Sequence, residues 1–515
     1  MIALAKKRED RGKGKKSEGA NECNLDEDYI SPIQSFWDIN VENIKSVVIH
    51  SRYAQSLIIL TILGFLLRFY NLGFNSIWLD EASTLGMSKG SFETIWITTL
   101  SGDFHPPLFH WIEHIMLVFG QSEVILRFIP ALLGTLTVPV FYLIGKEFRD
   151  KNVGLICAAL LTVSYFGIFY SQEAYSYSMV LFVFSLVLLF YFRALRTDET
   201  SQWLLFALFS ALAVWTHYYV LIALFVIYLH AIITLREKLK TDVNEGKKIL
   251  AAISTMTVLI LPLIFVVLER YHTLTASPPT YGVLGPVLIQ ETFIRFSGGF
   301  SPLNWVIATV YLFLMFGGLV LLYREDRNKC LFSAMYLILP LIISVIISSR
   351  MTMNPRYLIY LLPVYFALVA ASFPIIFRFI PNRKLLYAVI ILIVAINVPL
   401  LTGYYTSFTK EDWRGFSHIV QNVTKDGDFI VVVPGYITQP FSYYYNNATD
   451  RTIQTGANTG KELDNIYQLK GNSSIFYIVT GDISAMNPEG DALAWLSEKA
   501  RLETERTGVY LLTSK

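Results

Sequence analysis

LLRFYNLGFNSIWLDEAST, residues 66–84, carries the end of an apolar run into a polar segment with two adjacent carboxylates, Asp80 and Glu81. Ionisable groups in or beside a bilayer are costly and tend to be functional. Which side of a membrane this pair occupies, and what it faces, decides the reading of the whole chain.

The composition is that of a membrane protein. Of 515 residues, 54% are hydrophobic and 16% charged, against about 25% charged in soluble domains. Aromatic residues make up 15%, which suits many membrane-interface positions. A net charge of +2 gives no case for nucleic-acid binding. Cys23, Cys157 and Cys330 are scattered, without disulfide-framework or zinc spacing. Residues 1–53, which include the stretch KKREDRGKGKK, are expected to form a flexible basic cytoplasmic tail. A signal peptide is not expected, because its apolar stretch would come earlier.

A membrane helix needs roughly 20 mainly apolar residues. The segments that qualify are 54–70, 124–146, 152–170, 174–194, 202–217, 218–236, 248–268, 303–323, 331–349, 357–378 and 384–402, about eleven spans. Loops 146–152, 193–199, 236–248, 323–329 and 378–384 are rich in Lys and Arg, whereas 71–123 holds only Lys89. The positive-inside bias then places the N-terminus in the cytoplasm and the C-terminus outside. HPPLFHWIEHIMLVFG, residues 105–120, would break that alternation as a span, so it is expected to be an amphipathic helix along the outer surface. Residues 54–402 form the expected transmembrane catalytic domain. Residues 403–515 alternate strand and helix patterns, as in KEDWRGFSHIVQNV, DFIVVVPGY, TQPFSYYYN, SSIFYIVTGD, DALAWLSEKARL and GVYLLTS, and are expected to form a small extracytoplasmic α/β domain. The sequons at Asn422, Asn447 and Asn472 are compatible with that side.

The polar residues collect at the outer ends of the spans. They are Asp80, Glu81, Asp103, His105, Arg127, Glu173, His217, Tyr218, Arg270, His272, Arg295, Arg350, Arg356 and Tyr357. Singly, each has an ordinary reading: a helix cap for the carboxylates, a snorkelling anchor for Arg356, belt aromatics for His217 and Tyr218. Their restriction to one face points instead to one polar cavity. Arginine forks suit a lipid phosphate, with Arg356 best placed and Arg127, Arg295 and Arg350 as helpers. A nearby carboxylate could act as general base towards an acceptor hydroxyl. One base without a nucleophile–acid pair matches an inverting single displacement.

The motifs LLRFYNLGFNSIWLDEAST, HPPLFHW, SEVILRFIPALLGTLTVPVFYLIGKEF, SQEAYSYS, WTHYYVL, NPRYLIYLLPV and KEDWRG, in this order, resemble the GT-C superfamily of integral-membrane glycosyltransferases. The likeness is to the branch of protein O-mannosyltransferases and the lipid A aminoarabinose transferase. It implies a GT-C fold, a polytopic helical protein with juxtamembrane helices in the first outer loop. It also implies a polyprenyl- or dolichyl-phosphate-linked sugar as donor and a protein, glycan or lipid acceptor. By that resemblance Asp80 is the base, with Glu81 and His105 as neighbours, and Arg356 with Tyr357 contacts the donor phosphate. Tyr175 stands where relatives often carry Arg. No cofactor is implied with certainty; a divalent cation on Asp80, Glu81 and Asp103 stays an open alternative. The rival functions are a transporter or flippase for the same lipids, and a non-catalytic subunit presenting the C-terminal domain.

Overall fold

The computed structural model describes residues 41–101, 105–241, 243–275, 279, 281–299, 303–379, 383–445 and 452–515. Asp103, Asn447 and Cys23 lie outside them, as do the side chains of Arg270 and His272. Part of the expected flexible tail is ordered, since Val41–His50 is helical.

All eleven expected spans contain helix. Among the described residues, eight helices are long and apolar enough to cross a membrane: Arg52–Phe69, Glu123–Phe148, Tyr177–Thr197, Gly246–Leu268, Asn304–Glu325, Arg327–Ile347, Pro355–Pro374 and Lys384–Thr406. The expected continuous span at 152–170 is instead two helices, Lys151–Thr162 and Tyr165–Ser171, bent by 58°. Counting that pair as one span gives nine by length and composition among the described residues. The remaining two segments, Thr200–Thr216 and Val220–Arg236, are shorter apolar helices.

The bend has a physical cause. Arg68, fully buried on the first span, donates from Nη2 to Leu161 O at 2.9 Å and from Nη1 to Thr162 O at 3.3 Å. These are terminal helix carbonyls that a break leaves without intrahelical partners. Ser164 caps the second half, accepting from Gly167 N at 3.1 Å. Gly134 permits the close approach, because a Cβ there would collide with Ser171.

Four of the basic loops meet at one end of the bundle. Arg196 pairs with Glu147 at 2.9 Å, Arg149 with Glu325 at 2.9 Å and Lys248 with Asp198 at 2.8 Å, while Lys329 reaches Phe148 O at 2.9 Å. Exposed pairs of this kind contribute little stability, but they fix which loops share an end. The fifth loop, 378–384, includes residues outside those described. At the opposite end the loop after the first span folds into three short helices, Leu79–Ser88, Phe92–Ser101 and Leu108–Met116. The third is the segment expected along the surface; it is nine residues long and buries Phe109, His110 and Glu113.

The C-terminal sheet has five strands: β1 Phe429–Val433, β2 Ile453–Gly456, β3 Ile475–Thr480, β4 Ala500–Arg506 and β5 Val509–Ser514. Their order is β2-β1-β3-β5-β4. β1 is parallel to β2 and β3; β5 is antiparallel to β3 and β4. Ile430, Val432 and Ile478 pack on one face against Trp413, Phe416 and Phe441, and Val431, Val433 and Val479 on the other against Leu463 and Leu496. Burial on both faces explains the unbroken apolar run of β1. The sheet has more elements than its sequence suggests: β2, the helix Gly460–Leu469, and β4, whose first residues had read as helix.

Candidate active site

The two neighbours on the helix Leu79–Ser88 have different fates. Glu81 is fully buried. Its Oε1 accepts from Arg127 Nε at 2.7 Å and Ala174 N at 2.8 Å, and its Oε2 from Arg127 Nη2 at 2.7 Å. Arg127 spends its other donors on Leu72 O (2.9 Å), Asn75 O (2.8 Å) and Ser76 O (3.1 Å). All the N–H groups of a guanidinium are then engaged. Arg127 therefore cannot offer its fork to a phosphate, contrary to the sequence expectation; it ties down the loop after the first span. Burial raises the Glu81 carboxyl, but Arg127 and Lys410 outweigh it and hold it at about 2.

Asp80 is only half-buried, and its Oδ2 lies 2.9 Å from Arg356 Nη1. Arg356 enters on the turn Pro355–Leu361, capped by Asn354. Its guanidinium sits against the rings of Trp78, Tyr177 and Tyr357, with centroids 5.4–5.7 Å away. Arg356 of this pair lines a cavity of about 300 Å³, together with Arg295, Lys410, Glu173, Glu291 and Glu411, among others. Arg295 is held by Glu291 at 3.3 Å. Arg350 is exposed and takes no part.

Glu173 comes from the tight segment after Ser171 and is fully buried. Burial raises its carboxyl, with Lys410 and Arg356 opposing. The remaining expected residues form an aromatic wall. Tyr357 stacks on Tyr219 at 5.2 Å, and His217 lies 5.6 Å from Tyr357 and 5.8 Å from Tyr177. The helix Thr200–Thr216 stops one residue before His217, which places that ring in the wall. Burial, then His105 and Arg356, lowers His217 to about 3, so it is a neutral imidazole. Tyr218 is half-buried beside it. His105 Nε2 lies 2.7 Å from the hydroxyl of Tyr175, the position where a cation was expected by resemblance.

Among the described residues no group of three or more His, Cys, Asp or Glu is arranged to hold a metal ion. Asp103 is outside that set, and both Glu81 oxygens are already bound to Arg127.

Sequence reasoning missed Lys410, although it opens the quoted KEDWRG motif. Its Nζ lies 3.2 Å from Glu173 Oε1 and 3.4 Å from Glu81 Oε2. It also missed Glu113, whose carboxyl burial and the charge of Glu81 push up to about 9. The run Tyr443-Tyr444-Tyr445, which could have stacked on sugars or packed, is packed. Tyr443 donates to Gln121 O at 2.6 Å and Tyr444 to Glu123 at 2.7 Å, and Tyr445 is buried. Tyr444 also accepts from Ile77 N at 2.7 Å, and Arg414 pairs with Glu123, so the C-terminal domain is clamped on the loop after the first span.

Residues 104–268 match the family of dolichyl-phosphate-mannose-protein mannosyltransferases. An uncharacterized protein of Aquifex aeolicus is 32% identical over 166 residues, 29% of this chain and 32% of that one, so the match spans about a third of the relative's length. ArnT from Cupriavidus metallidurans superposes with a TM-score of 0.58 at 14% identity, covering 90% of this chain and 98% of ArnT. Its undecaprenyl-phosphate-bound form gives 0.54 at 13% identity, covering 88% and 97%. The oligosaccharyltransferase of Archaeoglobus fulgidus gives 0.54 at 14% identity, covering 90% and 74%. The chain is thus a multi-pass membrane protein with the GT-C fold seen in ArnT and the Archaeoglobus fulgidus oligosaccharyltransferase.

Proposed function

We propose that this protein moves a sugar from a polyprenyl- or dolichyl-phosphate carrier to an acceptor hydroxyl by inverting single displacement. The observation that carries this reading is the Asp80–Arg356 pair, with Arg356 on the wall of a cavity that also carries Arg295 and Lys410 alongside Glu173, Glu291 and Glu411. Arg356 is the group for a phosphate leaving from the sugar C1, since a fixed guanidinium stabilises charge as it develops there. A phosphate that takes Arg356 releases Asp80 from its ion pair, and the freed carboxylate accepts the acceptor's proton. Two independent likenesses agree: the family matching residues 104–268 is named for dolichyl-phosphate-mannose transfer, and one structural neighbour holds undecaprenyl phosphate.

The basic loops meeting at the other end of the bundle support a cytoplasmic N-terminus, with the cavity and the C-terminal domain outside. Sugar, acceptor and cation requirement are read by assay. Purified protein in lipid nanodiscs is incubated with polyprenyl-phosphate sugars, and release of polyprenyl phosphate and product anomer are followed. Transfer with inversion is expected; retention of configuration would exclude the single displacement.

A further inference from the structure

We propose that Lys410 binds the donor phosphate together with Arg356, and that the C-terminal domain is what holds it in place. This rests on the lipid-phosphate donor reading above. Lys410 belongs to the short segment between the last membrane helix, which ends at Thr406, and the helix that starts at Trp413. Its side chain is 7% exposed, lines the cavity, and has the rings of Trp78 and Phe169 at 5.2 and 5.5 Å.

What marks Lys410 is the state of its donors. Its ammonium makes no hydrogen bond among the described residues, and neither do the oxygens of Glu173 beside it. Its contacts to Glu173 and Glu81 stay at 3.2 and 3.4 Å. The structural pair next door, Arg127 with Glu81, is closed at 2.7 Å with every donor used. A buried ammonium with three donors needs acceptors. Phosphate oxygens entering the cavity beside Arg356 supply them, and Lys410 then acts as a second point charge behind the guanidinium fork.

The segment is strapped from both sides. Thr409 N donates to Asn75 Oδ1 at 3.0 Å, and Ser76 Oγ to Asp412 Oδ1 at 3.1 Å, on the outer-loop side. On the other side Asp412 N donates to Thr507 Oγ1 at 2.7 Å, and Arg506 Nε to Asp412 Oδ2. Arg506 ends β4 and Thr507 stands in the turn to β5, so both belong to the C-terminal domain. A side chain at Gly415 would collide with Asp412 and Arg506, which explains the glycine of KEDWRG. Arg506 is thus a positioning residue for Lys410.

The test is the binding preference of the purified full-length protein for undecaprenyl phosphate over undecaprenol, both without sugar. Wild type should prefer the phosphate. Lys410→Met should lose about tenfold or more of that preference, Lys410→Arg should keep most of it, and Arg506→Ala should lose part while undecaprenol binding is unchanged. A folded Lys410→Met protein with the wild-type preference overturns the assignment and leaves the donor reading standing. Wild type without any preference overturns both. If the methionine variant does not fold, Lys410→Gln and Arg506→Ala decide, and an unchanged preference in both overturns the assignment.

Discussion

Two ion pairs begin on adjacent residues and do opposite things. Glu81 and Arg127 are closed, buried and saturated, with Lys410 at the margin. Asp80 and Arg356 are half-buried at a cavity, joined through one contact at 2.9 Å. The first pair has no capacity left for a ligand; the second can exchange partners. Saturated charge and charge free to exchange partners are therefore told apart by donor engagement rather than by residue type.

This contrast can be broken by mutation. Glu81→Gln leaves Arg127 buried against a neutral partner, which typically costs about 3–5 kcal/mol, so its melting temperature in detergent should fall far more than that of Arg356→Ala. Equal losses would erase the distinction. A pH titration sharpens it. The Glu81 carboxyl sits at about 2 against an ordinary 4.5, so its stabilisation is full above 4.5 and is lost as pH falls toward 2. Acid unfolding of wild type should begin below that upper value, and Glu81→Gln should flatten it.

Glu113 has the opposite sign. Its carboxyl sits at about 9 against 4.5, so stability is full below 4.5 and declines as pH rises toward 9. Glu113→Gln should raise the melting temperature at pH 8 and change it little at pH 4. A loss at pH 8 would mean that the ionised form has a partner. The smallest effect is expected for Tyr443→Phe, which removes one hydrogen bond to Gln121 O, about 1 kcal/mol. Its melting temperature should drop slightly with transfer activity intact.

Much of this was legible in the sequence. Apolar length located the helices, and the basic loops 146–152, 193–199, 236–248 and 323–329 do meet at one end. Proximity of Asp80 and Arg356 was anticipated. What failed depends on contacts distant in sequence. Arg127 and Arg356 look alike along the chain, and only folding assigns Arg127 to Glu81, 46 residues away. The bend after Thr162 is fixed by Arg68, 93 residues from Leu161. Lys410 reads as a surface lysine until folding sets it against Trp78, Phe169, Glu81 and Glu173. The helix Gly460–Leu469 did carry a local signal, since Thr459 accepts from Glu462 N at 3.2 Å in a T-x-x-E capping pattern. β2, four residues long at the sheet edge and mostly exposed, carried little.

The most direct test of the account is the rate of sugar transfer from a polyprenyl-phosphate sugar by folded Asp80→Asn protein. Loss of a general base predicts a rate lower by about 10²–10⁴ with the melting temperature near that of wild type; transfer at the wild-type rate would contradict the role assigned to Asp80.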